Sequence, residues 1–145
     1  MSTSITYWTQ EFVDAHVENL LRDPSFQKAS RSFKGTIVLQ CLGAPNGKDV
    51  SSKYHINKGD MTVDVSFEDS PSQAIRNEPF DSKRFFARTT APYELWTKLD
   101  RGQINVIQAI ASPDYRVEGP KLRIMANINL FRAMNDVAAR MDKSY

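Results

Sequence analysis

From Ile5 to Arg22 the apolar residues Trp8, Phe12, Val13, Val17, Leu20 and Leu21 fall on one broad helical face, opposite Glu11, Asp14, Glu18 and Arg22. This spacing predicts an amphipathic helix ended by Pro24, with Asp23-Pro24-Ser25 opening a short second helical turn towards Phe33. After Gly35 the pattern becomes β-type. Thr36 to Leu42 is β-branched and apolar and stops at the loop signal Gly43-Ala44-Pro45-Asn46-Gly47. Lys53 to Asn57 is read as a strand, joined through Lys58-Gly59-Asp60 to Met61 to Phe67. There Met61, Val63, Val65 and Phe67 alternate strictly with Thr62, Asp64 and Ser66, the clearest strand signal in the chain. Glu68 to Ser82 is polar, holds Pro71 and Pro79, and reads as an irregular excursion with one helical turn. Phe85 to Thr90 restores a strand.

The second half is mostly helical. Pro92 suits a first helical position, and Tyr93, Leu95, Trp96 and Leu99 form an apolar face that ends at Asp100-Arg101-Gly102. Ile104, Ile107, Ala109 and Ile110 define a short helix stopped by Ser112-Pro113, and Tyr115 to Glu118 is a short strand closed by Gly119-Pro120. In the last segment Ile124, Ile128, Phe131, Met134, Ala138 and Met141 share one face, while Arg132, Asp136 and Arg140 lie opposite at ion-pairing spacings. Asn127 and Asn129 mark where this segment divides. Strands and helices in separate blocks point to an α+β fold, a largely antiparallel sheet covered on one face by helices.

Composition bounds the function. A chain of 145 residues with 41% hydrophobic and 25% charged residues suits one globular domain, residues 1–145, with enough apolar surface to fold alone. The formal net charge of +2 is spread evenly, which argues against nucleic acid as a partner and leaves only a loose attraction to anionic membrane surfaces. Cys41 is the sole cysteine, so neither an intrachain disulfide nor a multi-cysteine metal site is available. Met1 to Gln10 lacks the basic segment and apolar run of a secretory leader, and no apolar stretch nears the roughly 20 residues that span a bilayer. The expected setting is cytoplasmic.

Catalytic signatures are sparse. Cys41 and His55 form the one thiol and imidazole pair, neighbours if the first two strands pair, and Cys41 keeps step with Ile37 and Leu39 on an apolar strand face where an inert thiol is usual. His16 lies between Phe12 and Leu20 on the apolar helix face, and neither histidine has a metal partner four residues on. Gly43 and Gly47 lack the spacing of a phosphate-binding loop. The large apolar residues of the second half stand out instead, but periodicity does not distinguish a filled core from a hollow one.

The segment from Arg84 to Met134 resembles the sterol carrier protein type 2, or non-specific lipid-transfer, family. The likeness is carried by the strand Phe85-Phe86-Ala87-Arg88-Thr89-Thr90, the helix Tyr93-Glu94-Leu95-Trp96-Thr97-Lys98-Leu99 and the turn Asp100-Arg101-Gly102-Gln103. It continues with a helix through Ile107 and Ala109, then Tyr115-Arg116-Val117-Glu118-Gly119, Leu122, and a helix bearing Leu130 and Phe131. The resemblance implies a five-stranded, mostly antiparallel sheet with helices on one face and an apolar tunnel between them. That tunnel would take a fatty acid, acyl-coenzyme A, phospholipid or sterol-like lipid, without catalytic residues or a cofactor. On this reading the tunnel floor is Ile37, Leu39, Val63 and Val65, roofed by Trp96, Leu99, Ile104, Ile107, Ile110, Ile128, Phe131 and Met134. Two departures from the family are expected to matter. The excursion from Glu68 to Ser82 is long enough to reshape the entrance or block it, and Lys143-Ser144-Tyr145 is not a peroxisomal address. An accessory module presenting a quinone precursor to partner enzymes, and a small Cys41 or His55 enzyme, are the alternatives.

Overall fold

The computed structural model describes residues 5–145; Met1 to Ser4, part of the segment read for a leader, lie outside the described residues. The first amphipathic stretch begins helically later than its apolar pattern. Ile5–Thr6 is a two-residue strand (β1), and helix α1 spans Gln10–Leu21. The Thr9 side chain causes the delay: it caps the helix by accepting from the Phe12 amide at 3.2 Å. Asp23 caps α2 (Pro24–Ser30) in the same way, and Pro24 supplies a pre-set φ at its first turn.

Strands β2 (Lys34–Leu42), β3 (Lys48–Asn57) and β4 (Asp60–Asp69) form an antiparallel meander. Lys58 and Gly59, both with positive φ, make the tight turn between β3 and β4, which pins the register from Asn57 opposite Asp60 to Lys48 opposite Asp69. After the short helix α3 (Gln73–Arg76), strand β5 (Ala87–Pro92) returns parallel to β2, and β6 (Arg116–Glu118) pairs antiparallel with β5. The sheet order is β4-β3-β2-β5-β6, with three antiparallel pairs and one parallel pair. Gly119 follows β6 with φ +137°, and a side chain there would sit 2.6 Å from the Phe86 carbonyl oxygen.

Register separates the two faces of the sheet. Ile37, Leu39 and Cys41 share a face with Val50, Ser52 and Tyr54, and with Met61, Val63, Val65 and Phe67. The helices pack on this inner face. Helix α1 lies over β4, and α4 (Tyr93–Asp100) lies over β2 and β5. Helix α7 (Ile128–Arg140) crosses α1, α2 and α4. Helix α5 (Val106–Ile110) packs on α4 and α7, and α6 (Lys121–Ala126) ends at Asn127, where the last segment divides. β7 (Lys143–Ser144) pairs in parallel with β1 and brings the end of α7 beside the start of α1.

The excursion lies across the sheet from the helices. Asp49, on the outer face, accepts from the Ser72 amide at 2.8 Å, the Gly43 amide at 2.9 Å and Arg76 Nε at 2.8 Å. Phe80 and Phe85 lie beneath the cationic groups of Arg88 and Lys53 on the same face. The segment covers the back of the sheet and does not close the space between sheet and helices.

Candidate ligand site

Between the inner face and the helices lies a mainly apolar cavity of about 40 Å³. Leu39 and Tyr54 form its floor, Tyr7, Trp8, Phe12 and His16 one side, and Trp96, Leu99, Val106 and Tyr115 another. Phe131, Met134, Asn135 and Ala138 of α7 close it. Aromatic rings occupy most of the space: Trp8 and Trp96 are 5.1 Å apart between centroids, Trp96 and Tyr115 5.9 Å, and Phe12 stacks on His16 at 5.5 Å. A void this size holds little more than water, whereas a lipid-sized ligand needs roughly 300 Å³ or more. Side chains therefore fill most of the space between sheet and helices.

A cleft of about 590 Å³ opens to solvent on the other side of Leu99, Val106 and Asn135, which line both spaces. Its rim carries Arg101, Ile104, Arg132 and Asp136. The partition takes one residue each from α4, α5 and α7, and the shortest of these is α5, a five-residue helix held at its start by reciprocal bonds between Asn105 and Gln108 and preceded by Gly102 at φ +74°.

Polar groups in the wall are mostly matched. His16 Nε2 donates to the Met134 carbonyl at 2.8 Å, leaving Nδ1 to accept from the Tyr54 hydroxyl at 2.8 Å. Burial lowers the His16 pKa to about 4; the Met134 carbonyl opposes this and Lys143 adds to it. Trp96 Nε1 donates to the Gln40 carbonyl at 2.9 Å. Trp8 differs: its backbone is left-handed at φ +59°, costing on the order of 1–2 kcal/mol for a bulky residue, and its indole N–H has no hydrogen-bond partner among the described residues.

Of the residues named from sequence, Leu39, Trp96, Leu99, Phe131 and Met134 line the cavity. Ile37 is wholly buried in the sheet core, Val63 and Val65 of β4 pack beneath α1, and Ile104 lines the outer cleft. Ile110 and Ile128 pack against the core from outside the cavity, and Ile107 is 41% exposed and faces solvent, because α5 turns Val106 and Ala109 inward instead. Sequence reading did not assign Tyr7, Trp8, Phe12, His16, Tyr54, Val106, Tyr115, Asn135 or Ala138 to the site. The parity of Tyr54 with Ile56 and the i, i+4, i+8 spacing of Trp8, Phe12 and His16 were the signals available.

Cys41 and His55 are not brought together. Cys41 pairs with Val50 on the inner face and His55 with Thr36 on the outer one. Burial, with the Asp49 charge adding to it, pushes the Cys41 thiol far above its usual range. His55 sits between Thr36 Oγ1 at 2.9 Å and Asp64 at 2.8 Å, but Asp64 is 80% exposed on an open sheet face and so is water-screened, unlike the buried carboxylate that orients a catalytic imidazole. Among the described residues no group of three or more His, Cys, Asp or Glu is placed to hold a metal ion, and no helix is long and apolar enough to cross a membrane.

No protein-family model matches the sequence, and no curated protein matches it. Solved structures do match by shape. A sterol carrier protein 2 crystal structure superposes with a TM-score of 0.73 at 13% identity, over 93% of this chain and 98% of that one. A conserved hypothetical protein from Thermus thermophilus, described as possibly a sterol carrier protein, gives 0.71 at 13% identity, over 99% and 94%. A UbiJ-SCP2 ubiquinone synthesis protein gives 0.50 at 19% identity, over 86% and 85%.

Proposed function

We propose that this chain, which has the sterol carrier protein 2 fold, binds and transfers one lipid chain between its sheet and its helices without chemical change. The observation that carries this reading is the apolar cavity walled by two tryptophans and lying one side-chain layer from a solvent-open cleft. The lipid enters as α5 swings outward, so that Leu99, Val106 and Asn135 part and the inner and outer spaces join. Leu39, Trp96, Leu99, Phe131 and Met134 then line the chain together with Trp8 and Tyr115. At about 0.8 kcal/mol per methylene, a sixteen-carbon chain gains on the order of 12 kcal/mol gross. Association and the ordering of wall side chains remove several kcal/mol, leaving affinity of roughly micromolar or tighter, which permits exchange.

Transfer requires a meeting with a membrane surface. Leu122 is 88% exposed between Lys121 and Arg123, and Met125 is exposed one turn further along α6. That pairing of apolar and basic groups suits brief contact with an anionic bilayer.

Organic extraction of the purified protein followed by mass spectrometry is expected to release a lipid, and fluorescent fatty acid is expected to bind saturably. An empty extract together with no saturable uptake refutes the carrier reading. The likeness to the ubiquinone synthesis protein supports a second reading, an accessory module that presents a quinone precursor to enzymes. Bound lipid found together with a stable co-purifying partner would favour that one.

A further inference from the structure

Trp8 combines three properties that an ordinary core residue does not combine. Its backbone is held in the left-handed region, its side chain is 2% exposed in the cavity wall, and its indole N–H donates to nothing among the described residues. The Tyr7 hydroxyl lies close enough for the indole N–H to offset part of the rise that burial gives its pKa, but the geometry falls short of a hydrogen bond, and that hydroxyl donates towards the Trp96 carbonyl at 3.4 Å. A buried donor without an acceptor is costly unless something else supplies the acceptor.

Charge limits what that acceptor is. No lysine or arginine lines the cavity. Lys143, whose charge is felt at His16, commits its ammonium to Asp100 at 2.7 Å and to the Ala138 and Met141 carbonyls. A carboxylate or phosphate carried into this space would lose its hydration without gaining a counter-ion. His16 offers no substitute, since both ring nitrogens are engaged and burial keeps it neutral.

Building on the carrier reading, we infer that the natural ligand is a neutral lipid that enters polar end first and places a carbonyl or hydroxyl oxygen on the Trp8 indole N–H. Its apolar chain trails towards the α5 partition. Anionic lipids still bind, but more weakly than neutral ones, with their head groups held outside the cavity near Arg101 and Arg132 on the cleft rim.

Equilibrium dialysis with radiolabelled methyl decyl ketone, dodecane and dodecanoate separates the possibilities. The wild-type protein is expected to bind the ketone about tenfold more tightly than the alkane, the range of one well-formed neutral hydrogen bond, and more tightly than dodecanoate at pH 8. In Trp8→Phe the ketone-to-alkane ratio falls to about one, whatever happens to absolute affinity. In Trp96→Phe the ratio persists, because that indole is already bonded to Gln40. Should Trp8→Phe fail to fold, the indole proton resonances of the wild-type protein decide. The protein has only two tryptophans, and the Trp8 signal is expected to move downfield with ketone and not with alkane. An unchanged ratio in Trp8→Phe, an unmoved Trp8 signal, or dodecanoate binding as tightly as ketone overturns the inference while leaving the carrier reading intact. If none of the three compounds binds the wild-type protein, the carrier reading itself fails.

Discussion

Phe131 sits at the boundary between packing and binding: it lines the cavity yet remains partly exposed on α7. Truncating a fully packed phenylalanine costs about 3–5 kcal/mol, but this side chain already borders empty space. Phe131→Ala is therefore expected to lose less than that in urea titration and to bind fluorescent lipid clearly more weakly; a full-sized stability loss with unchanged binding would move Phe131 into the ordinary core. His16 gives a pH signature. Its folded pKa of about 4 lies below the unfolded value of 6.5, so the unfolded chain takes up the proton first. The resulting stability is complete above pH 6.5 and is lost as pH falls towards 4, by about 3 kcal/mol in all. His16→Gln should flatten this part of the pH dependence, and equal slopes for the two proteins would refute the assignment.

Among elements, the excursion shows how a polar segment acquires a defined position. Its sequence carries little pattern, and what fixes it is Asp49, fully buried and bound by two backbone amides and the Arg76 side chain. Burial alone would raise the Asp49 carboxyl; Arg76, Ser72 and Gly43 override this and hold it well below the usual carboxylate range. Asp49→Asn is expected to cost about 2–3 kcal/mol and to loosen residues 70–86 in hydrogen exchange. Lipid affinity should hold, since the excursion lies across the sheet from the cavity, and a parallel loss of binding would contradict that placement. The same contrast between pattern and context explains α1. Periodicity runs through Trp8, but the Thr9 cap cuts the helix short and leaves Trp8 as a strained wall residue.

For the molecule as a whole, the two ends of the described chain are fastened together. β1 pairs with β7, and Lys143 and Asp100 form a buried ion pair at 2.7 Å, to which Tyr145 adds a hydrogen bond. Removing one member strands the other in a dry interior, a cost of about 3–5 kcal/mol. Lys143→Met is expected to lose that much in chemical denaturation, and adding Asp100→Leu should recover a substantial part. A double variant no better than the single one would show that the pair itself, and not the stranded charge, provides the stability.

The sequence by itself determined the order of the main elements, the inner faces of β2 and β4 and the apolar sides of α1, α4 and α7, because these depend on periods of two and 3.6 that are local to the chain. It also placed Cys41 on an apolar face and yielded five cavity residues: Leu39, Trp96, Leu99, Phe131 and Met134. Only the tertiary structure decided which buried residues border a void and which fill the core, since Ile37 and Leu39 have the same pattern and differ only in what packs above them. It also separated Cys41 from His55, turned Ile107 outward, and filled much of the space between sheet and helices with aromatic rings from α1, α4 and the approach to β6. Those outcomes depend on strand register and on contacts between residues far apart in sequence, where no periodicity reaches.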